Sequence, residues 1–186
     1  MRLSMNLASL TRARKQLDAF REDLRRLVHL SRRASHPRPR LAALADPSVP
    51  VLAMMRGAAA ARAVVGSSLG LSRVLVTVFH VDVWTDDIGG GLRLPHPFQI
   101  VLGDGTRIGS DCTLMHNVTI QRGAGTVVED GAVLGAGVVV LAGAHVGQRA
   151  LIGANSVVRG NIASASVAVG APARVVRVAT SQGVPS

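Results

Sequence analysis

Aliphatic residues recur every six positions along the second half of this chain, and that period limits the fold more than any other feature. An α-helix repeats every 3.6 residues and a β-strand every two, so neither element produces it alone. The period is typical of a parallel β-helix, in which six residues form one short strand and one turn. Two in-phase series carry it: Leu102, Ile108, Leu114 and Ile120, then Val128, Leu134, Val140, Val146, Ile152 and Val158.

The positions between these aliphatic residues fit the same architecture. Glycine often follows the aliphatic residue, where a tight corner leaves little space for a side chain. Four positions after it lies a small or compact residue, and we predict that this second column also points into a narrow prism. The column contains Thr106, Cys112, Val118, Ala132, Val138, Ala144, Ala150 and Ser156, so we interpret Cys112 as a packing residue.

The composition agrees with a narrow prism. Of the 186 residues, 48% are apolar but only 2% are aromatic, although most globular cores use aromatic residues for bulk. A chain this apolar is not disordered. The single cysteine excludes an internal disulfide framework and predicts a cytoplasmic protein.

Residues 1–81 lack the period and are predicted to form a basic helical segment. Apolar spacing predicts helices over 11–31 and over 50–65, the second ending at Gly66. The proline-rich stretch 31–50 predicts a linker, and 67–81 fits either helix or strand. No run between charged residues reaches the roughly 20 residues that a membrane span needs.

The net charge of +10 belongs mostly to this segment. Residues 1–40 contain 11 of the 21 Lys and Arg but 3 of the 11 Asp and Glu, a net charge of +8. The absence of an aromatic stacking platform or a zinc-knuckle spacing argues against a nucleic-acid partner. A solvated helix face, an acidic membrane surface and an acidic protein partner stay open.

The six-residue period breaks twice, each time by two extra residues, at 94–102 and at 120–128. Insertions in repeat proteins often mark the functional face. His96 and His116 each lie two positions after an aliphatic residue, and they are 20 residues apart. That separation is one 18-residue coil plus the first insertion. If the extra residues bulge outward, the two histidines are neighbours on adjacent coils.

Several motifs between residues 82 and 178 carry a family resemblance. They are Asp82-Val83-Trp84, Ile88-Gly89-Gly90-Gly91-Leu92, His96, Ile100-Val101-Leu102-Gly103, Asn117-Val118-Thr119-Ile120, Ile152 to Val158 and Gly170 to Val176. This pattern resembles the serine acetyltransferase branch of the hexapeptide-repeat acyltransferases. The resemblance implies a mainly β fold, a left-handed parallel β-helix over 82–178, with 179–186 as a C-terminal tail.

The resemblance also implies an enzyme that transfers an acetyl group from acetyl-CoA to the hydroxyl of a small molecule, without a metal. His96 is then the general base and Asp82 orients it. By strict phase Asp82 points inward; either the register slips by one residue and Val83 faces in, or a carboxylate is buried. The family implies a homotrimer, or a dimer of trimers, with active sites between subunits.

Further site residues follow from matching positions. The acceptor is expected to contact residues around His96, and the cofactor to lie along the coils with its phosphates near arginines. We interpret Trp84 as packing on the first coil. The candidate acceptor contacts are Pro95, Phe98, His116 and Asn117, and the candidate cofactor contacts are Gly135, Ala136, Gly153, Ala154, Ser156, Arg159 and Arg174.

The chain departs from the branch at positions that hold the acceptor. Pro95 replaces an acidic residue, and the short stretch 121–127 replaces a loop that carries a second active-site histidine. The helical segment is shorter, and the spacing from Asp82 to His96 is one residue less than usual. These departures favour a sugar or a secondary metabolite over serine as acceptor.

Two other functions fit parts of the sequence. A metal-dependent hydratase of the hexapeptide-repeat carbonic anhydrase type would use His96 and His116 as zinc ligands, but no third histidine shares their face. A trimeric scaffold without catalysis is the other alternative. An acyl carrier protein is an alternative donor, since its acidic surface would suit the basic segment.

Overall fold

The computed structural model describes residues 7–178, and helices form the first part of it. The elements are α1 (Leu7–Arg33), α2 (Pro39–Leu44), α3 (Ser48–Val65) and α4 (Leu71–Val74), which runs directly into a π-helical turn (Leu75–Phe79). The two long predicted helices are confirmed, and α1 extends past both predicted ends. Gly66 ends α3 with a left-handed φ of 76°. The stretch predicted as a linker contains α2, whose first turn accepts Pro39 because no N–H is needed there.

Short strands follow from residue 81 onward. They are β1 (Val81–Val83), β2 (Ile100–Leu102), β3 (Thr106–Ile108), β4 (Thr113–Leu114), β5 (Thr119–Ile120), β6 (Thr126–Val128), β7 (Val133–Leu134), β8 (Val139–Val140), β9 (His145–Val146), β10 (Leu151–Ile152), β11 (Val157–Val158), β12 (Asn161–Ile162), β13 (Ser166–Val169) and β14 (Arg174–Val178). The region thus begins one residue before the predicted boundary, and the predicted tail, 179–186, lies outside the described residues.

The strands form three sheets, one on each side of a prism. Sheet A has the order β1-β2-β5-β8-β11, sheet B β3-β6-β9-β12, and sheet C β4-β7-β10-β13-β14. All neighbours pair in parallel except β13 and β14, which are antiparallel. The chain visits A, B and C in turn, so three strands make one coil and about five coils stack. The predicted parallel β-helix is confirmed.

The interior contains the two predicted columns. All ten aliphatic residues of the six-residue series are 1% exposed or less, and the small-residue column, Cys112 included, is also buried. On β1, Val81 and Val83 align with the inward Ile100 and Leu102, so Asp82 faces outward beside Val101. The register slip is therefore the correct alternative, and no carboxylate is buried in the prism at this position.

Both insertions lie at corners, as the repeat predicts. The first separates sheet C from sheet A after Leu94, and the second separates sheet A from sheet B, where Ile120 leads into Thr126. Strand register is kept on either side of each insertion. The extra residues therefore bulge outward and leave the prism regular.

The helices close the first end of the prism. Val51, Leu52 and Met55 of α3 join the same apolar core as the first coil. Arg56 and Asp23 form a buried ion pair, with Nε and Oδ2 3.0 Å apart, beside that coil. Arg56 also donates to the carbonyls of Ile88 and Gly89, and Asp23 accepts the Leu92 N–H. This polar cluster attaches the helical segment to the β-helix.

By length and composition alone, α3 is long and apolar enough to cross a membrane. Arg56 and Arg62 interrupt its uncharged runs, and the expectation that no segment spans a membrane stays a prediction. In the structure α3 packs against α1 and the first coil, and its central residues, including the ion-paired Arg56, are buried.

Candidate active site

The corner that joins sheet C to sheet A carries His96, which lies in the first insertion, and His116 of the next coil. We call residues 95–99, 115–117, 135–137 and 153–155 the histidine corner. His96 and His116 are exposed, their ring centroids are 5.8 Å apart, and the rings meet edge to face at 74°. The prediction that they lie on adjacent coils is confirmed.

The insertion sets how the two imidazoles meet. The Asn117 N–H donates to the Phe98 carbonyl at 2.9 Å, so by backbone register Phe98 occupies the position above His116. The two extra residues therefore push His96 outward from the corner. Its ring still reaches the edge of His116, so the exposed imidazole stands where a substrate could approach both rings.

A left-handed residue turns each coil at this corner. Gln99, Asn117, Gly137 and Asn155 have φ values of 56°, 58°, 71° and 57°. Glycine and asparagine tolerate this conformation at low cost. The backbone of Asn117 thus adopts the left-handed conformation that the turn requires. Its exposed side chain lies next to His116.

Phe79 and His80 border the histidine corner, and neither was predicted as a site residue. Phe79 contacts Phe98 with ring centroids 6.5 Å apart. His80 precedes Val81 as Gln99 precedes Ile100, and its φ of 55° matches that of Gln99. Counting back one 18-residue coil from Ile100 gives Asp82 instead of its true partner Val81, and residues 67–81 carry no hexapeptide motif that would correct the register.

Asp82 is on the outer face of sheet A, half-buried and level with Val101. Among the described residues, no hydrogen bond joins Asp82 to His96. The short spacing between them arises from the turn between Val83 and Ile88, which has one residue less than the equivalent turn in the next coil. The orienting role of Asp82 therefore stays a prediction.

The predicted cofactor contacts continue the histidine corner on later coils. The Gly137 N–H donates to the His116 carbonyl at 3.1 Å, and the Asn155 N–H donates to the Ala136 carbonyl at 2.8 Å. His116, Ala136 and Ala154 thus form one column, in which the alanines leave an open strip beside the histidines.

Glycines flank this strip for a steric reason. A Cβ at Gly135 would be 2.8 Å from the Ala154 N atom, and one at Gly153 would be 2.6 Å from the Val169 Cγ1 atom. Adjacent coils approach too closely here for any side chain. Both positions therefore keep the strip flat.

The remaining predicted cofactor contacts lie in three different places. Ser156 is fully buried, and its Oγ accepts the Gly170 N–H at 3.1 Å, so its side chain points into the prism. The segment 170–173 closes the histidine corner on the last coil. Arg174 follows this segment and is exposed. Arg159 follows β11, at the other edge of sheet A. The structure thus brings Arg174, but not Arg159, to the end of the strip.

Pro95 and Phe98 lie beside the histidines, and their role as acceptor contacts stays a prediction. Pro95 is half-buried and Phe98 is exposed. The interpretation of Trp84 as a packing residue is wrong, because 67% of it is exposed. It follows β1 on the outer face of sheet A, so it adds apolar surface there rather than core.

Other reactive side chains in the described region lie elsewhere. Burial raises the pKa of the Cys112 thiol to about 11, so it stays protonated at neutral pH. His145 lies on sheet B and contacts Glu129, with Nε2 and Oε1 2.9 Å apart. Within residues 7–178, no group of three or more His, Cys, Asp or Glu side chains is placed to hold a metal ion.

Comparison with known proteins supports the same assignment of the repeat region. Residues 125–160 match the bacterial transferase hexapeptide family (six repeats), and residues 99–142 match the hexapeptide repeat of succinyl-transferase. The serine acetyltransferase of Buchnera aphidicola subsp. Acyrthosiphon pisum is 34% identical over 123 residues, which are 62% of this chain and 45% of that protein.

Solved serine acetyltransferases have the same architecture. Soybean serine acetyltransferase complexed with serine superposes with a TM-score of 0.66 and 28% identity over 87% of this chain and 70% of that one. A serine acetyltransferase in complex with CoA gives a TM-score of 0.66 and 25% identity, with the same shares covered. The chain spans about half the length of the curated relatives it matches. In sequence and fold the chain is similar to serine acetyltransferases, and its repeat region matches hexapeptide-repeat families.

Proposed function

We propose that this serine acetyltransferase-like chain is an acetyl-CoA-dependent O-acetyltransferase, with His96 as the general base that activates a hydroxyl group of a small molecule. The observation that carries the proposal is the pair of exposed imidazoles on the histidine corner, 5.8 Å apart. The similarity to serine acetyltransferases, one solved with serine and one with CoA, supports the choice of reaction.

The chemistry requires a base of moderate strength beside an open surface. Neutral imidazole can remove the hydroxyl proton near pH 7. The acceptor oxygen then bonds to the thioester carbonyl carbon, the carbon–sulfur bond breaks, and the proton on His96 passes to the departing CoA sulfur. Atoms and charge balance without a metal or a redox partner. The tetrahedral oxyanion needs N–H donors, which backbone groups at the bulged corner would supply.

His116 is proposed to bind the acceptor. Its ring edge meets His96, so a hydroxyl held by one imidazole is within reach of the other. Phe98 and Asn117 flank this point, and Pro95 shapes the approach to His96. Asp82 would orient His96 if the corner tightens when substrates bind, because a carboxylate stabilises an imidazolium.

The acetyl-CoA arm is proposed to lie along the open strip of the histidine corner. Ala136 and Ala154 continue the column below His116, and Gly135 and Gly153 keep it flat. Exposed Arg174 at the end of the strip would face the phosphates, with which guanidinium groups form bidentate contacts. This arrangement directs the thioester toward the two imidazoles.

A neutral acceptor fits the corner better than an amino acid. No charged side chain occurs between Leu94 and Ile100, and Phe79 and Phe98 present a ring surface beside His96. The charged groups of serine would need ionic partners that this stretch lacks. We therefore propose a sugar or a hydroxylated secondary metabolite as acceptor, with serine as the reference compound.

The assembly is proposed to be a homotrimer, or a dimer of trimers, with sites between neighbouring subunits. A reaction that consumes acetyl-CoA would place the protein in the cytoplasm, in keeping with its one cysteine, which is free and buried.

The test is turnover with a panel of hydroxyl compounds. Thioester loss from acetyl-CoA would be followed with serine, sugars and hydroxylated aromatic metabolites as acceptors, for the wild type, His96→Asn and His145→Asn. Removal of a general base lowers the rate by about 10²–10⁴-fold. We expect that loss for His96→Asn, and unchanged turnover for His145→Asn, whose imidazole is on sheet B.

Equal turnover in His96→Asn and the wild type would contradict the catalytic assignment. Absence of an acetyl-CoA-dependent rise in melting temperature would contradict the cofactor, and would support a scaffold instead. Faster turnover with serine than with every neutral compound would contradict the proposed acceptor class while leaving the reaction intact.

A further inference from the structure

One face of α1 carries an apolar seam along most of its length. We define the seam as Leu10, Leu17, Leu24 and Val28, which share one face because they are spaced by seven, seven and four residues. Leu10 is 43% and Leu17 55% exposed, although other faces of α1 pack on α3 and the first coil. The seam is about 27 Å long at 1.5 Å per residue.

An open groove continues the seam at its far end. Leu24 and Val28 of α1 form one wall, and Ala43 and Leu44 of α2 form the other. Leu44 is 60% exposed, so the groove is open to solvent. Arg40 joins its rim from α2. A surface of this form is suited to the apolar side of an added helix.

Arginines edge the seam at regular intervals. Arg14, Arg21, Arg25 and Arg32 are spaced by seven, four and seven residues, so they follow the seam along one side. Arg14 and Arg21 share the single carboxylate of Asp18. Among the described residues, Arg25 and Arg32 have no acidic partner.

A second copy of this chain cannot neutralise these arginines through α1. Of the acidic residues in this helix, Asp23 is buried with Arg56, Asp18 is held by Arg14 and Arg21, and the Glu22 side chain lies against Gly90 of the first coil. Two such seams packed antiparallel would oppose arginine to arginine, which is destabilising, and packed in parallel they would leave the arginines without acidic partners.

We propose that the seam of α1 and its groove dock an amphipathic helix of a different protein, one that carries acidic side chains beside its own apolar face. The apolar seam supplies the buried area, and the arginine row selects an acidic partner and fixes its orientation. This surface is formed by the helical segment, on the far side of α1 from the first coil, so the proposal is independent of the reaction proposed for the histidine corner.

The experiment uses two labelled helical peptides with the full chain. Both repeat leucine at heptad spacing; the acidic probe has glutamate beside the leucines and the basic probe has lysine at the same positions. Fluorescence anisotropy should show the acidic probe binding at least about tenfold tighter than the basic one. The preference should weaken with added salt.

Matched variants locate the binding surface. The double variant Arg21→Glu/Arg25→Glu should weaken acidic-probe binding about tenfold, and Leu17→Asn should weaken binding of the same probe. Arg12→Glu/Arg33→Glu makes the same change of charge away from the seam and should leave binding within about twofold. Circular dichroism would verify that each variant keeps its helices.

Four outcomes would overturn the proposal. They are equal affinity for the two probes, an equal loss in the control double variant, a smaller oligomer of Leu17→Asn by sedimentation velocity, and capture by phosphatidylglycerol vesicles that depends on Leu17 while the acidic probe does not bind. The third outcome would assign the seam to a second copy, and the fourth to a membrane surface.

Discussion

The β-helix and the helical segment are stabilised in different ways. In the β-helix, each interior side chain meets its equivalent from the coils above and below, and the buried polar groups of the described coils are hydroxyls. In the helical segment, Asp23 and Arg56 are buried and reach backbone groups of the first coil. The first region depends on repetition and the second on a few polar contacts between residues distant in sequence.

Because of this difference, stability should be most sensitive to substitution at the junction between the helical segment and the first coil. Every coil has neighbours that repeat its contacts, so the effect of one deleted side chain is confined to adjacent coils. Among the described residues, the junction has one fully buried ion pair, Asp23 with Arg56, whose partners also satisfy three backbone groups of the first coil. Burial raises the pKa of Asp23, while Arg56 acts in the opposite direction. Loss of either partner would leave a buried charge uncompensated.

The largest predicted effect on stability is at this junction. Arg56→Ala should lower the free energy of unfolding by about 3–5 kcal/mol, because it leaves the Asp23 carboxylate buried and unpaired. Urea unfolding followed by circular dichroism would measure the change. Arg62, in the same helix as Arg56, forms a more exposed pair with Asp86 of the first coil, so Arg62→Ala should cost under about 1 kcal/mol. Similar losses of stability in the two variants would show that burial does not make the Asp23–Arg56 pair more important than the exposed one.

A substitution inside a single coil should lower the free energy of unfolding somewhat less than Arg56→Ala does. Leu134→Ala, inside the prism on β7, should cost about 3 kcal/mol by removing fully buried methyl groups and leaving a cavity. Leu151→Ala on β10 is the matched control, since that leucine points outward and is 43% exposed. The same unfolding measurement applies. A larger loss of unfolding free energy for Leu134→Ala than for Arg56→Ala would show that the β-helix is more sensitive to substitution than the junction.

The smallest predicted effect concerns Cys112 and pH. Its folded pKa, about 11, lies above the ordinary value of 9.0, so the unfolded thiol ionises first as pH rises. Stability should therefore fall by about 1.4 kcal/mol between pH 8 and pH 10 relative to Cys112→Ala. Denaturant unfolding of the two proteins at both pH values would measure it. If the stabilities of the wild type and Cys112→Ala changed equally with pH, burial in the interior column would not suppress ionisation of the Cys112 thiol.

Native Cys112 should also resist alkylation at neutral pH. The thiol is fully buried and donates to the Glu129 carbonyl, with sulfur and oxygen 3.2 Å apart. Iodoacetamide labelling followed by mass spectrometry should give slow modification in buffer and rapid modification in urea. Fast labelling of the native protein would contradict the packing role.

The sequence by itself determined the β-helix, because a period of six repeats the same local choice at every coil. It also determined the contact of His96 with His116, since an insertion of known length between inward residues fixes which positions become neighbours. The inward or outward direction of Asp82 was left as two alternatives, because the first strand has no repeat before it to set its phase.

Only the tertiary structure decided what joins the two regions. The pairing of Asp23 with Arg56, the contact of Phe79 with Phe98 and the burial of α3 involve residues 19 or more positions apart, at least one of which lies outside the repeat. No period relates such positions, so their contacts follow from packing of the whole chain. A repeated pattern predicts which residues of neighbouring coils pair. The contacts at the junction occur once, so no pattern in the sequence predicts them.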